Sequence, residues 1–151
     1  MGQINPYIIR CSHCGTRNRI AAENLKRVAT CGQCGTILRT DYLLIDQPVI
    51  VTDSEFESLV LRSPLPALLD CWAPWCGACR TLSPVIDELS QQLKGRVRVC
   101  KLNVDQHAMT ASLFKIKSIP TLLIFDNGQL KDTIVGGVPK QQILQKLTPY
   151  F

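Results

Sequence analysis

One short pattern occurs twice near the start of this chain, CSHCGT from Cys11 to Thr16 and CGQCGT from Cys31 to Thr36, giving the spacing C-x2-C-x16-C-x2-C. No other feature limits the fold of this segment so strongly. Two residues between thiols let one tight turn aim both sulfurs at a single ion. The glycine that follows each pair, Gly15 or Gly35, lets the backbone turn beneath them. A segment as short as residues 1–40 has too little apolar surface to fold by burial alone. A tetrahedral site made by Cys11, Cys14, Cys31 and Cys34 is therefore expected to supply its folding energy. Closed four-sulfur coordination leaves no position for water, so the expected ion, one zinc, is structural; iron is the other ion that takes the same four sulfurs. His13 lies inside the first pair but is not needed to complete the set.

How the remaining cysteines are read depends on compartment. The beginning, MGQINPYIIRCSHCG, lacks the basic, apolar, small-residue layout of a signal peptide. No apolar run approaches the roughly 18 to 20 residues that cross a bilayer. A cytoplasmic protein with no membrane association is expected, and a reducing compartment leaves thiols free for metal or chemistry. Permanent disulfides are thus the weaker reading of the 8 cysteines. Charge is concentrated: Arg10, Arg17, Arg19, Lys26, Arg27 and Arg39 face only Glu23 in residues 1–40, which accounts for the whole net charge of +5. A basic segment can attract an acidic partner or nucleic acid, or simply be a solvated surface.

Beyond the segment, DYLLIDQP (residues 41–48) reads as a connector. The expected division is a zinc-binding module over 1–40, a linker over 41–47 and a larger domain over 48–151. PVIVT (48–52) opens a strand, and Phe56, Leu59 and Val60 have helical spacing in SEFESLVLRS (54–63), with Asp53 or Ser54 as its cap. Residues 66–73 and 97–104 read as buried strands. The helix between them is closed by Gly95 and expected to kink at Pro84. A helix over 105–116 and a strand over 121–125 follow, then an Asn127-Gly128 hairpin turn, a partner strand, and a last helix that starts at Pro139. The order βαβαβαββα implies a central mixed sheet with helices on both faces.

A third cysteine pair, in LLDCWAPWCGACR, falls where a strand gives way to a helix. A thiol at a helix N-terminus faces unpaired N–H groups and the positive end of the dipole, which favours thiolate at Cys76 and hence nucleophilic attack. Cys79, one helical turn inward, is placed to resolve a mixed disulfide. A lone C-x2-C could be half of a zinc site, but no further pair at ligand spacing remains to complete one.

WAPWCGAC, the IKSIPT segment (116–121) and GGVPK (136–140) resemble thioredoxin, and the resemblance runs over about residues 46–151. With its N-terminal cysteines the whole chain is similar to the zinc-containing bacterial branch of that family. The resemblance implies the thioredoxin fold and protein-disulfide reduction through Cys76 and Cys79. Asp70 interrupts an apolar strand, where an unpaired charge is expensive, and matches the family's buried carboxylate that takes the proton of the resolving thiol. Lys101 matches the lysine that pairs with it, and Pro120 the family's cis-proline. Trp75, Gly77, Ile119 and Gly137 correspond to the surface that receives substrate, while Trp72 is read as structural support. Cys71 and Cys100 are read as small core residues, and His107 and Met109 as carrying only packing or solvent contacts. The implied partners are disulfide-containing proteins and an NADPH-dependent flavin reductase, with no bound organic cofactor and a monomeric chain.

One departure from the family is Gly77-Ala78 where Gly-Pro is usual between the cysteines. Losing the proline restores an N–H and relaxes the helix start, so the family's reduction potential does not carry over. Two further readings compete with plain reduction. In one, the basic module binds nucleic acid or an acidic protein and the larger domain is its scaffold. Only Tyr7 and Tyr42 offer rings there, which weakens base stacking. In the other, oxidation of the four thiolates releases the metal and alters activity.

Overall fold

The computed structural model describes residues 6–40 and 43–151. Asp41 and Tyr42, at the start of the expected connector, lie outside the described residues. A hairpin opens the chain, β1 (Tyr7–Arg10) antiparallel to β2 (Arg17–Ile20), with the first cysteine turn between the strands. The second cysteine turn is bracketed by a bridge between Thr30 and Ile37. Around them Ile9, Ile20, Leu38 and Leu43 form a small core with Cys11, Cys31 and Leu65.

The larger part contains a five-stranded sheet in the order β3-β5-β4-β6-β7, made of β3 (Val49–Ile50), β4 (Ala67–Trp72), β5 (Arg98–Asn103), β6 (Thr121–Asp126) and β7 (Gln129–Val135). β3 and β4 run parallel to β5, while β6 is antiparallel to β4 and β7. β4 and β6 are central and covered on both sides, which is why they read as unbroken apolar runs. On one face α1 (Gly77–Gln92) and α3 (Lys140–Leu147) pack Leu82, Ile86, Leu89, Ile143 and Leu147 against Leu68, Leu122 and Ile124. On the other, Phe56 and Val60 meet Leu69, Cys71, Cys100, Leu123 and Phe125. Phe56, Phe114 and Phe125 touch edge to face there, with centroids 5.2–5.7 Å apart. The expected mixed sheet with helices on both faces is therefore what forms.

Local differences have local causes. The helix expected over 54–63 contracts to a wide turn, Glu57–Leu61, closed by the Arg62 N–H on the Glu57 carbonyl at 2.9 Å. Asp53 does not cap it; its carboxylate turns away to a distant helix. That helix, α2, is only Ala108–Leu113 where 105–116 was expected, because Asn103 draws residues 105–107 into a turn of their own. α1 begins at Gly77 and ends at Gln92, and the chain then turns through Gly95 at φ +79°. Pro84 lies inside α1. Pro139 sits just before α3 instead of within its first turn. Asn127 and Gly128 both take positive φ, as a two-residue hairpin turn requires.

The two parts touch through the first hairpin. Arg10 donates its backbone N–H to the Pro64 carbonyl at 2.8 Å and its guanidinium to both carboxylate oxygens of Asp126, at 3.1 and 3.0 Å.

Candidate dithiol and four-thiol sites

β4 ends at Trp72, and the segment that follows delivers Cys76 to the head of α1, where it occupies the N-cap position. Cys76 Sγ accepts the Cys79 N–H at 3.1 Å, so a sulfur does the work that Ser or Asp does at other helix starts. The two cysteines are joined in a disulfide with Cα atoms 5.2 Å apart. Burial does not separate them, at 6% exposed for Cys76 and 3% for Cys79. Their surroundings do: Cys76 Sγ faces the Ile119 carbonyl at 3.7 Å, whereas Cys79 lies within the helix.

The Ile119-Pro120 bond is cis, as the resemblance implied. The Gly136 N–H donates to the Pro120 carbonyl at 2.8 Å, which brings the Gly136-Gly137 corner beside the same loop. Gly77 and Gly137 are exposed, and a Cβ on either would meet nothing within 4 Å. Trp75 is 67% exposed, and its indole N–H is held by the Asp105 carboxylate at 2.9 Å. Trp75, Gly77, Ile119 and Gly137 are thus open or half-open positions around the disulfide, with Pro120 buried beneath. Asp105 carried no signal in the sequence. It lies two residues beyond β5, and only folding brings it to Trp75.

Asp70 is 1% exposed, and neither of its carboxylate oxygens has a hydrogen-bond partner. Burial pushes its pKa up to about 6, against a smaller opposing pull from Lys101. Lys101 is its register partner on β5, yet the ammonium donates to Ser83 Oγ at 3.1 Å and lies 5.0 Å from the Trp72 ring centroid. The Trp72 ring thus meets the Lys101 cation face-on, a cation–π contact. Cys71 and Cys100 are unbridged core residues whose thiols burial pushes up to about 12.

The four N-terminal thiols converge, with all Sγ atoms within 4.8 Å of one another and two pairs, Cys11–Cys34 and Cys14–Cys31, at 3.6 Å. Sulfurs about 2.3 Å from a central zinc in a tetrahedron stand about 3.8 Å apart, so the set fits such an ion. The repeat in sequence is a repeat in structure: Gly15 and Gly35 share φ +77°. His13 N–H donates to Cys11 Sγ and Gln33 N–H to Cys31 Sγ, each at 3.4 Å. The Cys34 backbone N–H, helped by the Asn18 amide, draws the Cys31 pKa down to about 6. A set of four thiols suits a soft divalent ion. His13 contributes its backbone N–H, and among the described residues the clustered side chains are the four cysteines.

The thioredoxin family profile matches residues 47–149. A thioredoxin of Synechocystis sp. is 53% identical over 101 residues, 67% of this chain and 94% of the relative. A thioredoxin of Haemophilus influenzae is 48% identical over 93 residues, 62% and 87% of the two chains. A chloroplastic M-type thioredoxin of Pisum sativum is 43% identical over 107 residues, 71% of this chain and 62% of the relative. The mixed sheet, the bridged cysteines at a helix head and these relatives define a thiol–disulfide oxidoreductase. The chain belongs to the thioredoxin family. The four-thiol segment precedes the matched region. Among the described residues no helix is long and apolar enough to cross a membrane.

Proposed function

We propose that this enzyme reduces disulfides of other proteins through Cys76 and Cys79, and that Cys11, Cys14, Cys31 and Cys34 hold one structural zinc ion. The observation that carries the reading is the Cys76–Cys79 disulfide at the N-terminus of α1, beside the Ile119 carbonyl. In the reduced enzyme the helix-head N–H groups favour the Cys76 thiolate. It attacks one sulfur of a substrate disulfide, the substrate S–S bond breaks, and the displaced sulfur leaves as a thiolate that takes a proton. Cys79 gives up its proton to Asp70, whose raised pKa suits it to that exchange. Its sulfur then attacks Cys76 Sγ, closing the intramolecular disulfide and releasing the second substrate thiolate. Two electrons have moved from the enzyme to the substrate.

Lys101, opposite Asp70 in the sheet, supplies a positive charge that limits the rise of the Asp70 pKa. Trp75, Gly77, Ile119, Pro120 and Gly137 form the face on which the substrate chain lies, and the missing side chains of the two glycines leave room for it. A flavin reductase drawing on NADPH restores the dithiol, in the cytoplasm. Residues 1–40 act as the metal-binding module, 41–47 as a linker and 48–151 as the catalytic domain, the arrangement of the zinc-containing branch of the family. When bound, zinc cross-links the two cysteine turns in place of a larger apolar core.

The test is NADPH-coupled reduction of insulin by the full chain and by Cys76→Ser, with zinc measured on the same samples. Loss of turnover in the variant with one zinc per chain retained supports the reading. An inactive wild type, or an active Cys76→Ser, sinks it.

A further inference from the structure

We propose that Asp53, 23 residues before Cys76 in the sequence, is a positioning residue for the substrate face, acting through the segment from Asn103 to Thr110 on the indole of Trp75. It rests on the reading of Trp75 as part of that face.

The first turn of any helix has N–H groups without partners inside the helix, and a helix as short as α2, Ala108–Leu113, cannot hold itself together without outside support. The residue at its N-cap position, His107, gives no side-chain cap. Asp53 does that work from the other side of the chain. Its Oδ1 accepts the Thr110 N–H at 2.8 Å and the Thr110 hydroxyl at 2.6 Å, and its Oδ2 accepts the Met109 N–H at 3.3 Å. The Asp53 N–H in turn donates to His107 Nδ1 at 3.2 Å. Four hydrogen bonds thus tie one residue of the β3 turn to the start of α2.

The same segment carries the anchor of Trp75. His107 and Gln106 donate their N–H groups to the Asn103 carbonyl, the Asp105 N–H donates to Asn103 Oδ1, and Asp105 Oδ2 accepts the Trp75 indole N–H at 2.9 Å. Trp75 is two-thirds exposed, so packing does little to fix its ring, and that single bond sets where the indole stands beside Cys76. With the Asp53 carboxylate gone, Thr110 and Met109 lose their acceptor and only the backbone N–H to His107 Nδ1 remains, so the turn bearing Asp105 is held less firmly at its α2 end. The indole then samples orientations that do not match a substrate chain. The hydrogen-bond partners of Asp53 are His107, Met109 and Thr110, none of them a sulfur or Ile119, so the sulfur chemistry is expected to be untouched.

The experiment compares KM for insulin, in the NADPH-coupled assay, with the rate of reduction of a small aromatic disulfide, in the full chain and in Asp53→Ala, Trp75→Phe and the double variant. Asp53→Ala is expected to raise KM for insulin about fivefold, the factor that corresponds to one lost helix cap, with kcat and the small-disulfide rate unchanged. In the Trp75→Phe background, which has no indole N–H to anchor, the same substitution is expected to add nothing. Asp53→Asn, which keeps one acceptor oxygen for Thr110, should fall between wild type and Asp53→Ala, and it serves as the probe if Asp53→Ala does not fold. A folded Asp53 variant with unchanged KM, or one whose effect multiplies fully with that of Trp75→Phe, overturns the proposal while leaving the substrate-face reading intact. If Trp75→Phe itself leaves KM unchanged, that reading falls and takes the role of Asp53 with it.

Discussion

Arg10 and Asp126, 116 residues apart, share two parallel hydrogen bonds at 3.1 and 3.0 Å, and the Arg10 guanidinium also donates to the Gly15 carbonyl at 2.8 Å in the first cysteine turn. One side chain therefore joins the four-thiol site to the last residue of β6, the strand that begins just after Pro120. The Asp126 side chain is 6% exposed, so its charge has little water to fall back on.

Removing the guanidinium strands that charge. Arg10→Ala is expected to lower stability by about 2 kcal/mol, the range for charge-assisted bonds to a buried carboxylate. Asp126→Asn should cost less, because it leaves no buried charge unpaired. The check is urea unfolding of both single variants and the double variant: additive losses would show that the two residues do not support each other.

Asp70 sets a pH dependence. Its carboxyl, raised from 3.8 to about 6 in the folded chain, binds a proton more tightly there than in the unfolded chain. Between those values the folded state holds more protons, so stability falls as pH rises from about 4 through 6 and stays lower above. Two pKa units correspond to roughly 3 kcal/mol. Asp70→Asn, neutral throughout, is expected to be more stable than wild type at pH 8 by that order, with the gap closing below pH 4. Parallel unfolding curves of the two proteins at both pH values test this, and a constant gap would mean that the carboxyl is not raised. Slower reduction at pH 7 is expected of the same variant, since Cys79 loses its proton acceptor.

Taking away one of the four thiols should separate the two sites. Cys34→Ser leaves three sulfurs, and the small core of Ile9, Ile20, Leu38 and Leu43 is too slight to persist alone. The expected outcome is loss of bound zinc and exchange of the β1 and β2 amides, with Cys76 and Cys79 still reducing insulin. Zinc content, hydrogen exchange and turnover read the three parts independently; retained stoichiometric zinc would show that the fourth sulfur is not a ligand.

What the sequence revealed and what it concealed divide by range. The cysteine turns, the Asn127-Gly128 hairpin and the buried strands β4 and β6 are written in residues close to one another, and their geometry follows from local spacing and apolar runs. Asp53 shows the opposite case. A capping residue beside a helical pattern points forward, yet its carboxylate serves Met109 and Thr110, 56 and 57 residues away. The helix start expected at Asp105 fails for the same reason, since Asn103 and Asp53 claim the backbone groups around it. Asp105 to Trp75 and Arg10 to Asp126 are pairings of unremarkable polar residues, and nothing in either partner's neighbours announces the other. Lys101 stands opposite Asp70 in the β4–β5 register, yet its ammonium donates to Ser83.

Gly95 combines a helix ending with a contact between the two parts of the chain. At φ +79° any side chain is strained, and a Cβ there would stand 3.0 Å from Tyr7 Cδ1, on the first strand of the hairpin. Gly95→Ala therefore meets two penalties, about 1 kcal/mol or more for the backbone and a further cost for moving the Tyr7 ring. Tyr7→Ala removes the second and leaves the first. In the double variant the loss from Gly95→Ala should shrink to the backbone share, a non-additivity that thermal or urea unfolding of the four proteins detects. Equal losses in both backgrounds would show that the ring moves aside freely and that Gly95 matters only for ending α1.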